Sequence, residues 1–308
     1  MSIGNEDCLY HFCNFDAFKS IVEKNEFWLS ESGTMNDSKE LVWFAENIKP
    51  LLMRRFEQQP SSFKEKYKNL FSQIAENMYS DYFSKDAYYH MFIMCLSTNG
   101  DLLSQWRGYT SDGDGISIGL NKKILLELFE KQNSSPATIG CGEIDYDSRS
   151  TSKISNSEKY ILDIVDKHLF PQLDEIKHLD ELNFATNSIA VFNKFFKNMF
   201  FNAILVKSPF FSEECEVRLY IWEKLDFDGR KLSDNVVLSP IQHRLKNGKD
   251  TPYIKMNFSK FFNLSDLISE VIIGPKCQES TENITALLRT NGFSSAKVRK
   301  SDGFGIYR

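Results

Sequence analysis

The run "EVRLYIW" (216–222) constrains the fold more than any other stretch. Its β-branched and aromatic residues follow one another without a break, which predicts a central strand. It nevertheless carries Glu216 and Arg218. Alternate residues of a strand share a face, so these two point one way and Val217 and Leu219 the other. Continuing the alternation backwards puts Glu214 beside them. Two carboxylates two residues apart on a strand are about 7 Å apart. They repel, and the arginine offsets the repulsion. A solvated strand face would give the same pattern. The unbroken "LYIW" favours burial, where a carboxylate must be paired or used.

The rest of the chain supplies short strands and amphipathic helices in mixed order. Strands are expected at 8–12, 27–30, 89–97, 116–120 and 138–146, then at 204–208, 216–223, 235–239, 253–258 and 271–275, and finally at 296–300 and 305–308. Helices are expected at 14–26 with Asn14 as cap, through 36–88 with Pro50 as a kink or break, at 121–132, twice within 149–203, and at 279–292. This order favours α+β with mixed or antiparallel core sheets over a doubly wound sheet. No stretch has linker composition. The expected organisation is one α+β domain over 1–308, with helical insertions at 36–88 and 149–203.

The 308 residues carry a net charge of −5, so no global basic field draws the protein to nucleic acid or acidic lipid. None of the six cysteines forms a Cys-x-x-Cys pair, and four sit in apolar runs, which predicts reduced thiols and no zinc site. The start "MSIGNEDCLYHF" has neither a basic nor an apolar leader region, and no stretch has the length of a membrane span. A cytoplasmic protein without a membrane partner is expected; homo-oligomerisation stays open. The helix "VFNKFFKNMFF" (191–201) reads as core, with an interface as the alternative.

Two further segments carry residues that a plain core does not need. In "LYHF", Tyr10 and His11 point to opposite faces of a short strand. His11 is a ligand-binding candidate, set against a core histidine with one hydrogen bond. In "DLLSQWRGYTSDGDGISIGL" (101–120), Asp101 is expected to cap a short helix. Trp106 and Tyr109 then share one helical face. Gly113 and Gly115 suit a turn with positive φ, or close approach of a ligand to the backbone.

As an ordered set, "LYHF", "FWLS", "CLS", "LLSQWRGY....G.GISIGL", "VKSPFFSEECEVRLY", "VIIGP" and a closing "YR" resemble the bacterial DUF2971 family, whose function is unassigned. The resemblance runs from Leu9 to Arg308, with Ser208 standing where a histidine is expected after Lys207. The layout is also similar, more weakly, to ADP-ribosyltransferases. That fold places a His or Arg on an early strand, a Ser-Thr-rich strand in the middle and a Glu-x-Glu late. The matching positions are His11, Ser97 with Thr98, and Glu214 with Glu216; Asn99 departs from the usual Ser-Thr-Ser.

This second resemblance implies an enzyme that consumes NAD as substrate. It would transfer ADP-ribose to a macromolecular acceptor, protein or nucleic acid, or hydrolyse NAD. Glu216 would stabilise the oxocarbenium-like ribose, and Glu214 would position or deprotonate the acceptor. His11 and Ser97 would hold the cofactor, Trp106 or Tyr109 would stack on nicotinamide, and Arg107 would neutralise the pyrophosphate. By analogy of chemistry, such proteins act as toxins or defence effectors. Two alternatives stand beside it. One is a metal-dependent nuclease using Glu214, Glu216, Asp112 or Asp114, and Lys207, although no Asp…Glu-x-Lys spacing occurs. The other is a non-catalytic protein that binds a nucleotide or a partner.

Overall fold

The computed structural model describes residues 7–34, 40–82, 89–132, 138–146, 159, 162–224, 238–246, 248–260 and 264–307. Helices accompany a mixed, mostly antiparallel sheet, so the chain is α+β. It divides into two compact units. The first holds residues 1–34, 89–143 and 212–308, and the second holds 35–88 and 144–211.

The first unit is built on a ten-stranded sheet. Its strands are β1 (Cys8–Cys13), β2 (Glu26–Glu31), β3 (Tyr89–Ser97), β4 (Ile116–Asn121) and β5 (Thr138–Glu143), followed by β8 (Glu216–Lys224), β9 (Gln242–Lys246), β10 (Lys249–Asn257), β11 (Ile268–Ile273) and β12 (Lys297–Lys300). The branch point is β3. Along one edge it pairs with β8 at every residue from Tyr89 to Ser97. Its other edge is shared: β1 pairs at Ser97, and β2 pairs at Ile93 and Phe92. The sheet therefore forks into a β1–β4–β11–β12 wing and a β2–β10–β9 wing.

Alternation sorts the side chains. Leu9, Cys13, Phe27, Leu29, Leu96, Ile118, Val217, Leu219 and Val271 line one face. They form the main core with Phe18, Ile21 and Val22 of α1 (Phe15–Lys24) and with Ile284 and Leu288 of the last helix, Thr281–Thr290. α1 forms because its apolar residues recur at helical spacing, Asn14 Oδ1 accepts from Ala17 N at 2.8 Å, and Asn25 ends it in the left-handed region at φ 55°. The opposite face carries a smaller cluster of Cys8, Tyr10, Phe12, Trp106 and Ile272.

The second unit contains α2 (Glu40–Glu57), α3 (Ser61–Tyr82), Phe170–Glu175 and Glu181–Ala203, with a two-stranded parallel pair of β6 (Asp145–Tyr146) and β7 (Val206–Lys207). Its core is aromatic: Phe56, Phe71 and Phe192 are buried, and Phe56 stacks on Phe71 at 4.3 Å. Phe192 and Phe195 of the phenylalanine-rich helix are core residues. Pro50 lies inside α2 without ending it.

Several boundaries differ from expectation. Of the closing "GIYR", residues 305–307 are not a strand, and Arg308 lies outside the described residues: Ile306 N and Tyr307 N both bond Gly303 O in consecutive turns, which the positive φ of Gly305 permits. The 138–146 strand breaks into β5 and Asp145–Tyr146. Of the 235–239 strand, Leu238 bridges Met256, while 235–237 lie outside the described residues.

Two glycines of the 101–120 segment answer to different constraints. A Cβ on Gly115 would stand 2.4 Å from the Cys13 carbonyl oxygen, whereas one on Gly108 would meet nothing within 4 Å. Gly115→Ala is expected to destabilise the fold by about 1–3 kcal/mol through overpacking. Gly108→Ala is expected to be neutral or to stabilise by up to about 1 kcal/mol. Urea unfolding of the two variants measures both.

Candidate functional site

Tyr10, Ser97 and Glu216 are direct cross-strand partners on β1, β3 and β8, so they form one row on the face opposite the main core. Arg218 stands opposite Cys95 in the neighbouring row. Ser97, Glu216 and Arg218 are buried. Arg218 Nε donates to Glu216 Oε1 at 2.8 Å and its Nη2 to Oε2 at 3.4 Å. The pair has the two-point form that a desolvated carboxylate needs. On the far edge of β8, β5 sets Gly142 opposite Arg218 and Gly140 opposite Tyr220. A Cβ at Gly140 would lie 2.4 Å from the Tyr220 ring.

Glu214 does not share that strand. It ends a 3-10 turn (Pro209–Glu214), and Cys215 adopts φ 48°, which breaks the pleat before β8 begins. The expected Glu214–Glu216–Arg218 alternation is therefore corrected to Glu216–Arg218. The turn is tied to β3: Thr98 N donates to Cys215 O at 3.0 Å, and Ser97 Oγ donates to Glu214 O at 2.9 Å.

His11 is corrected as well. Alternation on β1 points it away from Tyr10 and Glu216, in line with the core residues Leu9 and Cys13. Its Nδ1 lies 3.2 Å from Cys95 O, and its ring meets Phe27 edge-on at 6.1 Å. It thus sits where β1 and β2 part from β3. Burial pushes its pKa below the usual histidine value, and the bond to the Cys95 carbonyl opposes that shift.

The 101–120 segment holds the smaller cluster and the C-terminal turns together. Trp106 is a core plug rather than an open stacking surface: it is 2% exposed, meets Phe12 edge-on at 4.8 Å and donates Nε1–H to Asp101 Oδ1 at 2.6 Å. Asp101 is not the helix cap; that position is Leu102, which makes no side-chain cap bond. Asp101 instead accepts from Ser301 Oγ at 2.6 Å and from Asp302 N at 2.8 Å, and faces Arg299 at 3.6 Å. Arg299 Nε also donates to Glu270 Oε1 at 3.0 Å, and Tyr10 OH donates to Glu270 Oε2 at 3.0 Å. Tyr109 packs half-buried against the same cluster.

Arg107 faces outward. Its Nε donates to Tyr307 OH at 3.1 Å, and that hydroxyl donates to Asp112. Lys276 Nζ donates to the other Asp112 oxygen at 2.6 Å. The Lys276 bond, then the Tyr307 bond, hold the Asp112 carboxyl below the usual carboxylate range. Ser111, Asp112 and Gly113 all have positive φ, so the "TSDGDG" glycine at 113 serves a left-handed turn. Sequence reading missed Asp101, Glu270 and Arg299 as a network, because their links span 29 to 200 residues.

The geometry defines an α+β protein with a forked sheet and a buried ion pair beside the fork. Residues 105–219 match the family model described as "Protein of unknown function (DUF2971)". The match runs from the Gln-Trp-Arg-Gly-Tyr helix to the fourth residue of β8. No curated protein and no solved structure matches the chain. No helix among the described residues is long and apolar enough to cross a membrane.

Asp101→Ala leaves the Trp106 Nε1–H, the Ser301 hydroxyl and the Asp302 N–H without their acceptor. Hydrogen bonds to a charged group contribute about 1.5–3 kcal/mol each and are not additive, so a loss of about 2–5 kcal/mol is expected in urea unfolding. A second expectation concerns His11. Its lowered pKa means that the unfolded chain takes up a proton first as pH falls below about 6.5. Wild-type stability should therefore fall through that window relative to His11→Gln. Unfolding midpoints of both proteins between pH 7.5 and 5 check the sign.

Proposed function

We propose that the protein is an NAD-consuming enzyme of the ADP-ribosyltransferase type, transferring ADP-ribose to a macromolecular acceptor or to water. The observation that carries this reading is the direct pairing of Ser97 on β3 with Glu216 on β8, with β1 on the other edge of β3. The three strands that bear the resemblance positions are thus hydrogen-bonded neighbours.

In this reading the ribose lies against Glu216. Arg218 holds the carboxylate at two points. As the nicotinamide C–N bond breaks, its electron pair leaves with nicotinamide, and positive charge develops at the ribose. A fixed carboxylate with little water around it stabilises that charge more than it stabilises bound NAD. The acceptor then bonds to the ribose carbon and loses its proton. Glu214, at the end of the turn before β8, is the group assigned to orient that acceptor. Tyr109 takes over the stacking role, since Trp106 is enclosed. Arg107 keeps the pyrophosphate role only if it leaves Tyr307. His11 drops out of the pocket.

A second reading has its own observation in favour. Glu216 and Arg218 are both buried and satisfy each other, as a purely structural pair would in a non-catalytic nucleotide- or partner-binding protein. The nuclease reading is weaker, because Asp112 is engaged by Lys276 and Tyr307. Glu216→Gln separates the first two. The enzyme reading expects nicotinamide release from NAD by the folded protein to fall at least about a hundredfold, beside the loss of Tm that leaving Arg218 unpaired brings in either reading. A lowered Tm with unchanged release, or no release by the wild type, would contradict it.

A further inference from the structure

The β2–β10–β9 wing carries a second polar assembly that the proposed chemistry does not use. On the face that also bears Ser97, register sets Trp28 opposite Lys255, Ser30 opposite Tyr253, and Gln242 opposite Tyr253 on its other side. Trp28 and Tyr253 stack at 4.7 Å. The Arg244 guanidinium lies over both rings, at 5.3 Å and 5.2 Å, and Lys255 Nζ lies 5.4 Å over the Trp28 ring. Arginine on aromatic faces is favourable, but it leaves the charge uncompensated.

Among the described residues, that charge has no carboxylate partner. Arg244 Nη2 donates to the neutral Ser30 Oγ at 2.9 Å, and its buried Nε has no hydrogen-bond partner. Burial, moreover, disfavours its charged form. Lys255 is little better served: Glu26 Oε2 is 4.0 Å away, beyond hydrogen-bond reach. The hairpin's own acid, Asp250, is turned to the other face, where it meets His243 at 2.9 Å. Two cations therefore share one aromatic floor with one carboxylate, Glu26, which pairs with Lys255 at 4.0 Å and not with Arg244. A half-buried guanidinium kept without a counter-ion is costly unless a ligand supplies one.

We propose that Arg244 and Lys255, over the Trp28–Tyr253 stack, bind the oxyanion of a ligand, either a phosphoryl group or a carboxylate. A guanidinium fixed by Ser30 and two rings presents its remaining N–H groups in a planar fork suited to such an oxyanion. Ser30, Tyr253 and Gln242 surround it with neutral polar groups, which do not compete for its charge. The site is independent of the NAD reading, because it shares no residue with it.

Isothermal titration of the whole chain at fixed ionic strength tests this with three probes: inorganic phosphate, ADP and succinate. One saturable site is expected for at least one probe. Phosphate and ADP without succinate indicate a phosphoryl ligand, and succinate alone a carboxylate. Arg244→Gln should weaken binding at least tenfold, and Arg244→Lys less. His243→Gln, on the other face, should not change it. Lys255→Gln should weaken binding in the same direction and serves if the Arg244 variants fail to fold. Glu216→Gln should bind the probe as the wild type does, whatever its effect on NAD. No saturable binding of any probe, or wild-type binding by both Arg244→Gln and Lys255→Gln, overturns the proposal.

Discussion

A strand has two hydrogen-bonding edges, and β3 gives one of them wholly to β8. Its remaining edge is divided between β1 at Ser97 and β2 at Phe92 and Ile93. Most other features of the first unit follow from that division. The two wings must part between these points, and the parting leaves Cys95 O within reach of a side chain, which His11 supplies. The same division fixes the face on which each candidate residue emerges, since register propagates from β8 through β3 to β1 without freedom to slip.

The face opposite the main core is held by polar contacts of long sequence separation rather than by aliphatic packing alone. Glu216 and Arg218 satisfy one another, and Tyr10, Glu270, Arg299 and Asp101 form a chain that ends on Trp106 and Ser301. Such networks are stabilising only when complete, because an orphaned buried charge costs more than the bond contributed. Glycines allow the close approaches involved: a Cβ at Gly100 would meet the Tyr10 ring at 2.3 Å, and one at Gly274 the Gly113 carbonyl oxygen at 2.5 Å.

Much of this was legible in local pattern. The "EVRLYIW" run announced a buried strand with a charged face, Asn14 announced a cap, and "YHMFIMCLS" announced the central strand. Alternation even stated that Tyr10 and His11 diverge; the error lay in choosing His11 rather than Tyr10 as the partner of Glu216. Glu214 was misplaced because a strand pattern cannot reveal that Cys215 takes φ 48°. Asp101 looked like a cap by spacing, yet its partners are Trp106, Ser301 and Asp302, two of them about 200 residues away. The Arg244 assembly left no sequence signal, since it arises from the register of three strands.

The proposed NAD chemistry requires the face bearing Ser97 and Glu216, not the face bearing His11. Nicotinamide release by Ser97→Ala and His11→Gln, each with its Tm, tests it most directly. Ser97→Ala is expected to slow turnover about tenfold, the loss of one positioned hydrogen bond, and His11→Gln to leave turnover within about twofold of wild type while changing stability. Loss of turnover in His11→Gln with full activity in Ser97→Ala would contradict the account.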